Sequence, residues 1–130
     1  MVLGVGTDLL SLERMRRAVE DPSVDSPFLV RTFTPREREE ARLRSDPVLY
    51  FAARFAGKEA VFKALGLAGD HVRLYEIEIL NDKIGRPRVT LHGDLKRHAG
   101  EATVELSLSS DTDYCLAFAV LQTAESRQGG

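Results

Sequence analysis

Apolar and polar positions follow two different periods in the two halves of the chain. Val2 to Leu10 (VLGVGTDLL) is almost wholly apolar and predicts a buried strand. Gly4 and Gly6 mark a close backbone approach there, and Thr7-Asp8 is a polar interruption. Ser11 can cap a short helix with Leu12, Met15 and Val19 on one face and Arg14, Arg16 and Arg17 exposed. Glu20 to Pro27 reads as a polar loop. Thr34-Pro35-Arg36-Glu37 has the form of a capping box with proline at the first helical position. The helix it opens, to about Arg44, is nearly all charged, which predicts a solvated element. Asp46-Pro47 opens a long helix to about Leu65, and Gly66 is a natural stop.

The second half has a period of two. Tyr75, Ile77 and Ile79 alternate with Glu76 and Glu78, and residues 81–87 form a turn. Val89 and Leu91 mark a partner strand, and Asp94 to Ala99 a brief helix. Val104, Leu106 and Leu108 alternate again. Ser109 to Asp113 turns into a last strand marked by Tyr114, Leu116, Phe118 and Val120. The pattern predicts an α+β fold, with a small antiparallel sheet packed against one long helix and short helices. A single domain is expected over residues 1–123, with a flexible polar tail at 124–130.

Composition narrows the function. The 130 residues carry a formal charge of −2, with 43% hydrophobic and 29% charged positions. That is a soluble globular composition without the basic excess of a nucleic-acid binder. No apolar run approaches the ~20 residues of a membrane span, and MVLGVGTDLL does not read as a signal peptide. Cys115 is the only cysteine, so no internal disulfide is expected and a reducing, cytoplasmic compartment fits. His71, His92 and His98 lack zinc-ligand spacing. So small a chain has little room for a deep private cleft, which points to a site shared between subunits.

The long helix carries the candidate chemistry. On a wheel of about 100° per residue with Phe55 at 0°, Glu59 falls near +40° among Phe62, Val48 and Phe51, with Lys58 and Lys63 at opposite edges of the apolar stripe. A carboxylate in such a stripe needs a partner. Lys63, four residues on, is one candidate and would make a structural ion pair. Three cations (Arg54, Lys58, Lys63) around one acid also suit a polyanion with a metal, and Mg²⁺ favours one or two carboxylates with phosphate oxygens and water. Asp8, at the end of the first strand, is the best second carboxylate, although a turn or helix-capping role explains it equally well. Glu13 is also available but is readily explained as a solvated charge.

Gly4-Val5-Gly6-Thr7-Asp8-Leu9-Leu10, followed by Glu13-Arg14, resembles the first signature of the holo-[acyl-carrier-protein] synthases. Arg54 to Gly66 (RFAGKEAVFKALG) resembles the second, R-F-A-x-K-E-A-x-x-K-A-L-G, and Ile77 to Pro87 the third. The similarity spans residues 2–121. It implies the 4′-phosphopantetheinyl transferase fold and Mg²⁺-dependent transfer of phosphopantetheine from coenzyme A to a serine of an apo acyl carrier protein, releasing adenosine 3′,5′-bisphosphate. It maps the metal carboxylates onto Asp8 and Glu59, with Glu59, Lys63 and Asp8 as the catalytic group. Coenzyme binding is expected at Arg54, Lys58, Lys63, Gly66, Pro87, Ser109 and Ser110, with Lys58 and Lys63 suited to neutralise phosphate oxygens and Arg54 to grip the 3′-phosphate bidentately. The resemblance also implies a homotrimer with sites between subunits.

The chain departs from the family at Ser107-Leu108-Ser109-Ser110-Asp111, where Ser110 stands at the usual histidine. A catalytically silent member that binds coenzyme A or a carrier domain is the alternative this raises. The carrier is expected to be acidic, docking on Arg14, Arg16, Arg17 and Arg31 with Met15 and Phe28 as apolar contacts; a solvated basic face is the other reading. Fatty-acid and polyketide carriers are both open.

Overall fold

The computed structural model describes residues 1–67 and 73–124. His71 and the expected tail from residue 125 onward lie outside the described residues. The elements run β1 (Val2–Ser11), α1 (Leu12–Val19), α2 (Pro27–Thr32), α3 (Pro35–Arg42), α4 (Pro47–Ala64), β2 (Ile77–Asn81), β3 (Pro87–Leu91), α5 (Gly93–Ala99), β4 (Thr103–Ser110) and β5 (Tyr114–Gln122), with a 3-10 turn at Leu74–Glu76. β5 lies between β1 and β4 in one antiparallel sheet, and β2 and β3 pair as a separate antiparallel hairpin. This is the α+β arrangement the patterning predicts.

Helix starts follow local chemistry. The side chains of Ser11, Ser26, Thr34 and Asp46 each accept the N–H three residues on, satisfying donors that the first helical turn leaves free. Proline stands at the start of α2, α3 and α4. The Ser26-Pro27 start opens a helix where the polarity of the preceding residues predicts only loop.

The core lies between α4 and the sheet, and close approach dominates it. A Cβ on Gly6 would sit 2.0 Å from the carbonyl oxygen of Ala60, and one on Gly4 2.1 Å from that of Ala64. The two glycines therefore let α4 lie directly on β1. The same demand sets the phase of β5. Cys115, Ala117, Ala119 and Leu121 are buried, while Tyr114, Leu116 and Phe118 are 44–48% exposed. Tyr114, Leu116 and Phe118 face outward, because the close approach of α4 leaves room only for small residues such as Ala117 and Ala119 at the middle of the inward row. With Val5 and Leu9 across the ladder they make an apolar outer face.

Burial differs from the patterned expectation in three other places. Glu76 and Glu78 are buried, and Tyr75 is exposed. α3 is not fully solvated, since Glu37 has no exposed surface. α4 is covered on nearly every side, and Phe55, Glu59 and Lys63, four apart, form its open flank. The wheel's centre is thus the side of α4 nearest solvent. No helix among the described residues is long and apolar enough to cross a membrane.

Candidate active site

The β1–α4 seam brings Asp8 to Glu59 and Lys63. Asp8 lies on the inward side of β1, two residues beyond Gly6, and Glu59 precedes Ala60, the residue that Gly6 meets. Lys63 Nζ donates to the carbonyl of Thr7 at 2.9 Å and to Asp8 Oδ1 at 3.4 Å. The partner expected for Glu59 is thus bonded to Asp8, although its charge still acts on Glu59. Both carboxyls lie above their ordinary range. Burial is the larger cause in each; for Glu59 the charge of Asp8 adds to it, and for Asp8 Lys63 and Arg14 offset part of it. Two close acids with one ammonium bonded to Asp8 leave a negative, half-buried, oxygen-only site. Such a donor set fits a hard divalent cation that keeps water and phosphate oxygens in its other positions. Among the described residues no third acidic, histidine or cysteine side chain joins them, which leaves those positions to ligands from outside the chain.

Lys58 is placed elsewhere and corrects an expectation. It has no exposed surface. Its Nζ lies 2.7 Å from Glu37 Oε1 and donates to the carbonyl oxygens of Leu74, at 2.9 Å, and Ile77. An ammonium has three protons, and all three are taken inside the protein, so Lys58 does not reach a phosphate. Glu37 also accepts Thr34 N at 2.9 Å and Ile79 N at 2.7 Å. Burial pushes the Glu37 carboxyl up and the Lys58 ammonium down. Glu37 closes the capping box that the sequence predicts, but a capping glutamate gives no sign that it will also be an interior counter-ion.

Arg54 lies about 140° around α4 from Glu59. Its guanidinium packs 3.8 Å from the Tyr50 ring centre, donates to Asn81 Oδ1 at 2.5 Å and approaches Glu40 Oε1 at 3.7 Å. Its Nε is buried with no hydrogen-bond partner among the described residues. A cleft of about 240 Å³ beside it is lined by Arg54, Asn81, Pro87, Ser109 and Ser110, which collects four of the positions expected to bind coenzyme. Asp8, Glu59 and Lys63 do not line it. Gly66 ends α4 in the left-handed conformation, φ +77°. Sequence reasoning missed Tyr50, Asn81 and Glu40, whose spacing to Arg54 carries no local signal.

The expected docking residues divide. Arg14, Arg17 and Arg31 are exposed, and the charge of Arg14 reaches Asp8. Arg31 lies 6.0 Å from the centre of the Phe28 ring, and Phe28 lies 5.9 Å from Phe55, one turn before Glu59. Met15 is 2% exposed and belongs to the core; the inward face of α1 claims it, so it offers no surface to a partner.

The family model of the 4′-phosphopantetheinyl transferase superfamily matches residues 4–119. The chain belongs to that family. The resemblance of its motifs is therefore borne out, and with it the reading of the chain as a transferase enzyme. A holo-[acyl-carrier-protein] synthase of Desulforudis audaxviator is 45% identical over 123 residues, covering 92% of each chain. The crystal structure of the synthase from Neisseria meningitidis is 35% identical, with a TM-score of 0.81 over 95% of this chain and all of that one. The Bacillus anthracis synthase in complex with CoA (3′,5′-ADP) is 30% identical, with a TM-score of 0.79 over 95% of this chain and 99% of that one. In this transferase the two signatures thus form the β1–α4 seam, the third supplies Asn81 and Pro87 of the cleft, and the short turn after β4 supplies Ser109 and Ser110.

Proposed function

We propose that this chain is a single transferase domain over residues 1–123, cytoplasmic, that moves 4′-phosphopantetheine from coenzyme A to a serine of an apo acyl carrier protein. Adenosine 3′,5′-bisphosphate is the second product. The observation that carries this reading is the Asp8–Glu59 pair, two close carboxylates raised by burial, with Lys63 bonded to Asp8 beside them. Relatives named for the same reaction, one of them bound to CoA, support it.

The residues have separable tasks. Asp8 and Glu59 would hold Mg²⁺, which when bound supplies charge neutralisation at the pyrophosphate. The serine oxygen forms a bond to the β-phosphorus as the bond from that phosphorus to the bridging oxygen of the nucleotide breaks. Glu59 accepts the serine proton directly or through a water. Lys63 offers its ammonium to phosphate oxygens beside Asp8. Arg54 and the Ser109-Ser110 turn hold the nucleotide's phosphate end, Arg54 as a fork pre-oriented by Tyr50 and Asn81. Catalysis is then mostly positioning and charge neutralisation.

The cleft and the carboxylates flank opposite sides of α4, which favours a site completed between subunits. The apolar outer face of the sheet, Val5, Leu9, Tyr114, Leu116 and Phe118, is the surface a second and third copy would cover. An acidic carrier would meet Arg14, Arg17 and Arg31 around Phe28. No nucleic acid or membrane enters this reading.

Incubating the protein with coenzyme A, Mg²⁺ and a panel of apo carriers, followed by intact-mass analysis, tests the reading. A phosphopantetheine mass increment that disappears with EDTA is expected. No increment on any carrier would overturn it and favour the silent, coenzyme-binding alternative raised by Ser110.

A further inference from the structure

The buried Lys58–Glu37 pair joins four parts of the chain. Glu37 lies in the first turn of α3, Lys58 in the middle of α4, Leu74 in the 3-10 turn, and Ile77 and Ile79 on β2. Every charged hydrogen-bonding group of the pair is matched by a named partner, two of them backbone N–H groups and two backbone carbonyls. Desolvating two charges is expensive, and well-packed apolar residues often do as well or better for stability alone. What the pair adds is direction. Its bonds fix how far α4 is rotated about its axis, and the next residue along α4 is Glu59.

We propose that Lys58 and Glu37 are positioning residues, a cross-tie that holds Glu59 against the repulsion of Asp8. The inference rests on the reading of Asp8 and Glu59 as a divalent-cation site. Two forces act on α4 at this level. The Gly6–Ala60 contact presses it onto β1, and the charge of Asp8 opposes that of Glu59. The glycine contacts stop α4 from moving inward, and the Lys63 bonds to Thr7 and Asp8 resist its rolling from the solvent-facing flank. A carboxylate about 6 Å from the helix axis moves by ~1 Å for a roll of about 10°, and a site loosened by that much loses function. Lys58, about 100° around the helix from Glu59, is where a tie resists such a roll. Glu40, one turn after Glu37, stands in the same relation to Arg54, one turn before Lys58. α3 therefore braces α4 at two successive levels.

The test compares wild type, Lys58→Met and Glu37→Gln by thermal melting, by Mn²⁺ binding read from the EPR signal of the free ion, and by steady-state transfer. The tie predicts that both variants fold with lowered Tm, bind Mn²⁺ ~10-fold more weakly, as loss of a supporting residue behind metal ligands does, and lose kcat while KM for coenzyme A stays within twofold. A rise in KM with kcat intact would make Lys58 a coenzyme ligand and overturn the inference. Unchanged Mn²⁺ affinity in the variants would reduce the pair to a structural element and overturn it too. So would loss of the fold in both variants, which would make the pair a determinant of folding. Wild type that binds no Mn²⁺ would instead overturn the metal-site reading on which the inference rests.

Discussion

Replacing Gly6 by alanine should damage stability and activity together. The added Cβ would stand 2.0 Å from the carbonyl oxygen of Ala60, 2.8 Å from Ala64 N and 2.9 Å from Lys63 Cβ. Two of these are helix backbone atoms, which no side-chain rotation can move. Ordinary contact begins at 3.4 Å, so α4 must back away from β1 by about 1.4 Å. Overpacking of a core costs up to ~3 kcal/mol, which for a domain of this size lowers Tm by ~10 °C. The same displacement separates Glu59 from Asp8, and a misplacement of ~1 Å costs about 100-fold in rate. Gly4→Ala is the internal control. Its Cβ meets Ala64 O at 2.1 Å, so the steric cost is alike, but the clash lies two residues further from Asp8. Differential scanning fluorimetry and an intact-mass transfer assay should show similar losses of Tm and a markedly larger loss of rate for Gly6→Ala. A Gly6→Ala protein with the wild-type Tm, or equal rate losses in the two variants, would refute the seam argument.

Three further outcomes follow. Asp8 and Glu59 bind protons more tightly folded than unfolded, so the ionised pair subtracts stability as pH rises from the ordinary carboxylate range through the raised values; Asp8→Asn and Glu59→Gln should therefore raise Tm at neutral pH while abolishing Mg²⁺-dependent transfer, and a lowered Tm would contradict the direction of the shifts. Phe118→Asp on the outer sheet face should give a folded monomer by light scattering with transfer lost; an assembly of wild-type size would contradict the proposed covering of that face. Met15→Ala should destabilise by ~3 kcal/mol in a denaturant melt, whereas Arg17→Ala should leave stability within ~0.5 kcal/mol and slow association with an acidic carrier most strongly at low salt.

The parts legible in the sequence are those that local chemistry determines. Ser11, Thr34 and Asp46 cap helices where their positions say they should, and Gly66 ends α4. Gly4 and Gly6 predict close approach, and the structure shows that α4 is what approaches. Phase was less legible. A wheel ranks side chains by apolarity, but what faces the sheet beneath α4 is decided by size, so the alanines go in and Phe55 and Glu59 lie on the open flank. The same constraint turns Leu116 and Phe118 outward. Lys58 was misplaced because its partner, Glu37, lies on a helix whose composition reads as solvated; a buried ion pair between distant segments has no periodic signature. Arg54 lines the cleft with Pro87, Ser109 and Ser110, and its support from Tyr50, Glu40 and Asn81 depends on tertiary contact alone.

The central claim is that Asp8 and Glu59 of one chain work with Arg54 and its cleft from another. Subunit mixing tests it directly. Asp8→Ala and Arg54→Gln proteins, each inactive alone, are dissociated, combined in equal amounts and reassociated. If each site takes its carboxylates from one chain and its cleft from the next around a ring, about a quarter of wild-type activity returns, since that fraction of interfaces joins two intact halves. A mixture as inactive as its components, with reassociation confirmed by light scattering, would contradict the shared site.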